Sequence, residues 1–251
     1  MISGKLSADD PKPTLTMPIE KDENGFYFWA DASETPALGI ETERMQACID
    51  EVSNRGLSGV FGTDPYFEGG DLAFLRQMPD LVSVEFWDVP ISDLSALYDL
   101  PLLRFLRLSD CRRPGLDFGR LGQLQQLICE YSKKDVGNNS LSKLTFLHLW
   151  RYKSSSGDMS GIDLPANLSE LGIFWCNAKS LDGMTFLPNL KHLEISRCRN
   201  LASITALAKS CPNLEHLVVS ASGRVTAREG ERLACQLPRI QHLYAGNQKI
   251  R

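Results

Sequence analysis

The chain contains no apolar run approaching the ~18 residues needed to cross a bilayer. Its first ten residues, Met1-Ile-Ser-Gly-Lys-Leu-Ser-Ala-Asp-Asp10, lack the ~7–15 consecutive apolar residues of a secretory leader, so a cytoplasmic location is expected. None of the patterns G-x-S-x-G, H-E-x-x-H, G-x-x-x-x-G-K-[ST] or G-x-G-x-x-G occurs. Those absences remove the familiar serine-hydrolase, metalloprotease, phosphate-loop and dinucleotide signatures, and they predict a non-catalytic chain without a cofactor. A strong charge of one sign is missing too. The net charge is −4, which argues against a nucleic-acid or membrane-surface partner. The seven cysteines (Cys48, Cys111, Cys129, Cys176, Cys198, Cys211 and Cys235) are odd in number and include no C-x-x-C pair. They read as reduced, packed thiols and not as a disulfide framework.

What the chain does have is a recurring frame, apolar at 0, +3 and +5. It is clearest at Leu190/Leu193/Ile195 and recurs at Leu168/Leu171/Ile173 and Leu214/Leu217/Val219. Its first positions are Leu57, Leu81, Leu103, Leu124, Leu144, Leu168, Leu190, Leu214 and Ile240, 20–26 residues apart. Positions +3 and +5 are two apart, so on a strand both face the same way. A strand this short cannot bury that face alone, and a fixed period predicts stacked rungs sharing one core.

This pattern resembles the leucine-rich repeat family, in its short-repeat, internalin-like class. The segments Leu94-Ser-Ala-Leu97-Tyr-Asp-Leu100-Pro and Leu181–Leu190 match that class's return segments. The resemblance covers 57–251. It implies an α/β solenoid, a right-handed β-α superhelix, with a parallel concave sheet of about nine strands and a mostly extended or 3₁₀ convex side. Where the family places an inward Asn at +8, this chain has Val89, Cys111, Ser132, Tyr152, Cys176, Cys198 and Ser222. Cysteine and serine can replace part of its hydrogen bonding, whereas Val89 and Tyr152 predict irregular loops.

Residues 1–56 lie outside the frame and form a separate N-terminal unit of arm and cap. They carry 11 acidic and 5 basic residues, against 20 and 22 in 57–251. Residues 1–13 read as an extended arm. Asn24-Gly25 is a hairpin turn before the strand-forming Phe26-Tyr-Phe-Trp29. Met45, Cys48, Ile49 and Val52 mark one helix stripe, which Gly56 ends. At the other end, Thr226 to Gln236 reads as a helix capped by Thr226.

The alternating positions +2, +4 and +6 should point to the concave surface. They place Phe105, Phe146, Trp150 and Phe174 toward solvent, with Tyr131 and Trp175 one step on. With Arg107, Glu130, His148, Arg151 and Glu194 around them, these residues have the composition of an interface centre. The expected partner is therefore a protein, bound by a monomer. An inhibitor of an enzyme, such as a toxin-immunity protein, would have the same architecture. The column His192, His216, His242 raises a third reading, a metal or small ligand, but an in-register row does not converge as zinc requires, so no metal site is assigned.

Overall fold

The computed structural model describes residues 19–30 and 36–251. The arm expected over residues 1–13 lies outside them. Chain order begins with a hairpin, β1 (Glu20–Lys21) and β2 (Tyr27–Ala30), turned at Asn24-Gly25. Gly25 has φ +79°, and the Asp22 carboxylate accepts the amides of Asn24 and Phe26 at 3.0 and 2.8 Å. Next come β3 (Pro36–Gly39) and helix α1 (Met45–Arg55), with Cys48, Ile49 and Val52 buried. Gly56 ends α1 at φ 63°, a left-handed position that favours glycine. Arg55 ties the helix back to the hairpin, 2.7 Å from Asp22 and over the Phe28 ring.

The rungs follow: β4 (Gly59–Thr63), the short β5 (Gly70–Asp71), β6 (Ser83–Trp87), the short β7 (Ile91–Asp93), β8 (Phe105–Ser109) and β9 (Gln126–Glu130). After them come β10 (Phe146–Trp150), β11 (Glu170–Phe174), β12 (His192–Ser196) and the short helix α2 (Leu207–Ser210). The chain closes with β13 (His216–Ser220), α3 (Ala227–Ala234), β14 (His242–Ala245) and β15 (Gln248–Lys249). Thr226 caps α3, its hydroxyl accepting the Glu229 amide.

All nine strands of the frame form, side by side and in register, so equivalent positions pair: Leu147 with Leu171, Leu171 with Leu193, Leu193 with Leu217. The sheet is larger than the nine strands expected. Among the described residues it has 13, because β3 joins β4 in parallel and hairpin strands add at both ends. The β3 rung escaped the frame since, three residues before Leu38, the sequence has Thr35 and not a leucine. Leu38 and Ile40 are nonetheless fully buried.

The inward positions form one continuous core from Phe26 to Ala245. Burial of each large side chain contributes roughly 1.5–3 kcal/mol, and stacking is the only way these strands achieve it. At the +8 place, sulfur and hydroxyl form a relay between rungs. Ser222 Oγ accepts the Cys198 amide at 3.2 Å, and Cys198 Sγ accepts the Cys176 amide at 3.3 Å. Cys111 Sγ donates to the Phe86 carbonyl at 3.3 Å. Tyr152 is instead buried whole, edge-on to Tyr131 at 4.8 Å.

Two corners recur along the coil. Just after the strands, Asp88, Asp110, Arg151, Trp175, Arg197 and Ala221 all have φ between 48° and 59°. This left-handed step costs about 1–2 kcal/mol for a residue with a side chain. It turns the next residue inward, and the amide donates to the following rung, as Arg151 does to Phe174 at 2.8 Å. Further on, Asp71, Asp93, Asp117 and Asp158 each accept the amide two residues ahead at 2.8–3.0 Å, opening the return segment. In the first half of the coil the return holds a 3₁₀ turn, at Ala73–Gln77, Ser95–Asp99, Phe118–Arg120 and Asn138–Ser140.

Candidate functional site

The register makes columns of the outward positions, with neighbouring strands about 4.8 Å apart. In the middle of the face those columns carry a chain of rings. Phe146 lies 4.3 Å from His148, His148 5.2 Å from Phe174, Phe174 5.3 Å from Trp150, and Trp150 5.0 Å from Trp175. Arg197 extends the row, its guanidinium 5.1 Å from the Trp175 ring centre. Gly172 lets the row close up: a Cβ there would sit 2.5 Å from Phe174 and 2.6 Å from His148. The rings are therefore half-buried against one another, where the sequence placed them toward solvent. Mutual stacking removes apolar area from water without reaching the leucine core.

His148 Nε2 lies 3.7 Å from Glu170. The imidazole beside it holds the Glu170 carboxyl below its ordinary range, despite its partial burial. Beyond the strand ends, Arg151 bridges Asp110 at 2.8 Å and Glu130 at closer range. Burial pushes the Glu130 carboxyl up, Arg151 opposes that shift, and the neighbouring Asp110 adds to it. Arg113 and Asp135 form a bidentate pair at 2.7 and 2.9 Å, both side chains about 95% buried, and Arg113 also donates to the Glu130 carbonyl at 3.0 Å. This pair anchors the loop after β9 to the loop before it.

Four of the expected contact residues stand apart from the ring row. Phe105 is 3% exposed, not solvent-facing. That end of the face is closed, with its strand neighbours Ser83 and Glu85 also buried, and an apolar ring gains by staying dry there. Arg107 belongs to a different cluster, 3.7 Å from Glu85 and over the rings of Trp29 and Trp87. Trp29, Phe61 and Trp87 pack there at 5.3–6.4 Å, so the N-terminal hairpin reaches onto this face. Tyr131 packs on the buried Tyr152. Glu194 is exposed between Gly172 and Val218. Phe146, His148, Trp150, Phe174, Trp175, Glu130 and Arg151 are brought together. Sequence reasoning missed Arg197, Asp110 and the Arg113–Asp135 pair. Arg197 had a signal, since it occupies the same post-strand place as Arg151 and Trp175.

His192, His216 and His242 stack face to face at 4.5 and 4.7 Å, tilted by 7° and 25°. Ring nitrogens of stacked imidazoles point alongside one another and do not converge on a shared point, as a tetrahedral ion demands. Among the described residues no group of three His, Cys, Asp or Glu side chains is arranged to hold a metal. A partly open apolar pocket of about 40 Å³ reaches into the core beside Cys129, Leu144, Leu149 and Ile162. Burial pushes the Cys111 and Cys129 thiols up to about 12, so both stay protonated and poor as nucleophiles.

No protein-family model matches the chain, and no curated protein sequence does. Among solved structures it is similar to an internalin (inlF) from Listeria monocytogenes, at 16% identity with a TM-score of 0.42, over 73% of this chain and 71% of that one. It is also similar to a plant peptide hormone receptor, RGFR1, solved in complex with RGF2, at 13% identity with a TM-score of 0.38 over 86% of this chain. The match spans 44% of the receptor's length.

Proposed function

We propose that this chain, a leucine-rich repeat solenoid by the register and period of its rungs, is a non-catalytic recognition module that holds a protein partner on the concave ring row. The observation carrying this reading is the unbroken series Phe146, His148, Phe174, Trp150, Trp175, Arg197 on a rigid parallel sheet, half-exposed and flanked by Glu130, Arg151 and Glu170. Large rings with an arginine, beside carboxylates, are the side chains that carry binding energy at interface centres. Because the sheet fixes their backbone and the rings fix one another, little ordering is left to oppose association. The buried thiols favour a reducing, cytoplasmic setting for the same module.

The test is capture and identification of the partner, then calorimetry with the wild type, Trp150→Ala and Phe174→Ala. Each substitution should weaken binding by about 2 kcal/mol or more. Unchanged affinity in both would remove the concave face from the interface.

A further inference from the structure

The loops that follow the strands carry a row of charge at odds with the chain as a whole. One cation stands exposed on each of six successive rungs: Arg112, Lys134, Lys153, Lys179, Arg199 and Arg224. None of the six forms an ion pair with a described residue. Two acids of these loops are engaged elsewhere, Asp110 by Arg151 and Asp135 by Arg113. At the next corner Asp117 and Asp158 each accept an amide of their own turn.

Backbone contacts hold these loops flank to flank. The Lys179 amide donates to the Gly157 carbonyl at 2.7 Å, the Ala202 amide donates to the Lys179 carbonyl at 2.8 Å, and Gly223 packs on the Arg199 carbonyl. The bonds of Asn177 to Ser154 and of Asn200 to Asn177 run along the same flank. With rungs about 4.8 Å apart, the six cations span roughly 24 Å, the length of about seven residues of extended chain.

We propose that this flank is an electrostatic docking strip for an acidic segment of a polypeptide, lying beside the ring row and steering the same partner onto it. The proposal deepens the recognition reading and rests on it. A protein segment fits better than a uniform polyanion for two reasons. The whole chain carries a net charge of −4, and the neighbouring face presents Glu130, Glu170 and Glu194, which a continuous phosphate backbone would meet unfavourably. A folded partner can place its acids against the flank alone.

The probe is fluorescein-labelled octa-glutamate, followed by anisotropy at about 50 mM salt, where surface charges are weakly screened. Wild type is compared with K153E/K179E/R199E and with R104E/K143E/R239E, which changes charge equally on exposed residues of the opposite flank. Phe174→Ala serves as a third variant, and labelled oligothymidylate of the same length as a second probe. Circular dichroism melts check that each variant is folded. The proposal expects an affinity loss of at least about tenfold in the first triple variant, a much smaller loss in the second, and none in Phe174→Ala. It is overturned by no binding to wild type, by equal loss in both triple variants, or by tighter binding of oligothymidylate, which would make the strip a nucleic-acid surface. Because octa-glutamate has no ring to place on Phe174, failure of the strip leaves the ring-row reading standing, while failure of the ring row shows separately, as unchanged partner affinity in Trp150→Ala and Phe174→Ala, and removes the steering role with it.

Discussion

Removing the Asp135 carboxylate should unfasten the loop beneath the ring row at a measurable cost. Arg113 and Asp135 share two charge-assisted hydrogen bonds, Asp135 accepts the Leu116 amide at 2.9 Å, and Arg113 donates to the carbonyls of Pro114 and Glu130, both at 3.0 Å. With the side chains 4% and 5% exposed, neither charge can turn to bulk water when its partner goes. Asp135→Ala therefore leaves a buried guanidinium uncompensated, which costs about 3–5 kcal/mol. The double variant Arg113→Met/Asp135→Leu removes both charges and fills the space, so at least half of that loss should return. Urea unfolding followed by tryptophan fluorescence gives the midpoint and slope for wild type, both single variants and the double. A cost under about 1 kcal/mol for Asp135→Ala, or a double variant that loses the sum of the singles, would mean that the charges are effectively solvated and the pair is no anchor.

Cys129 stands where the flanking rungs place Leu108 and Leu149, and it lines the pocket of about 40 Å³. At roughly 24 cal/mol per Å³, filling that space by Cys129→Leu should stabilise by about 1 kcal/mol, read from the urea midpoint. A loss instead would show overpacking. Thiol titration of the native protein with a disulfide reagent should find Cys235, the exposed one, reacting fast. Cys111, Cys129 and Cys211, pushed by burial to about 12, about 12 and about 11, should react only after unfolding. Gly172→Ala should force the Phe174 and His148 rings apart, costing about 1–3 kcal/mol and shifting Trp150 emission. An unaltered spectrum and stability would mean the rings do not rest on that glycine.

The repeat was legible because burial is a local, alternating demand. Leu193 and Ile195 must face one way on any strand, and a leucine every 20–26 residues leaves stacked rungs as the way to bury them. The stops at Gly56 and the cap at Thr226 were equally local, each set by one residue's backbone or hydroxyl. The candidate site was legible only as a set of outward positions. Phe146, Trp150 and Phe174 do occupy the open face, but Phe105 shares the column of Phe146 and is closed off.

Sequence by itself determined the repeating core positions of the nine framed strands, where those strands run and which positions alternate to the other face. Tertiary structure alone decided that the sheet has a tenth parallel rung at β3, that Trp29 crosses to Trp87, and that Arg113 finds Asp135. It also decided that the outward rings lean on one another. Periodicity reports the face a side chain leaves from, whereas ring-to-ring contact depends on conformers chosen between rungs some twenty residues apart, and that choice is made only when the rungs meet.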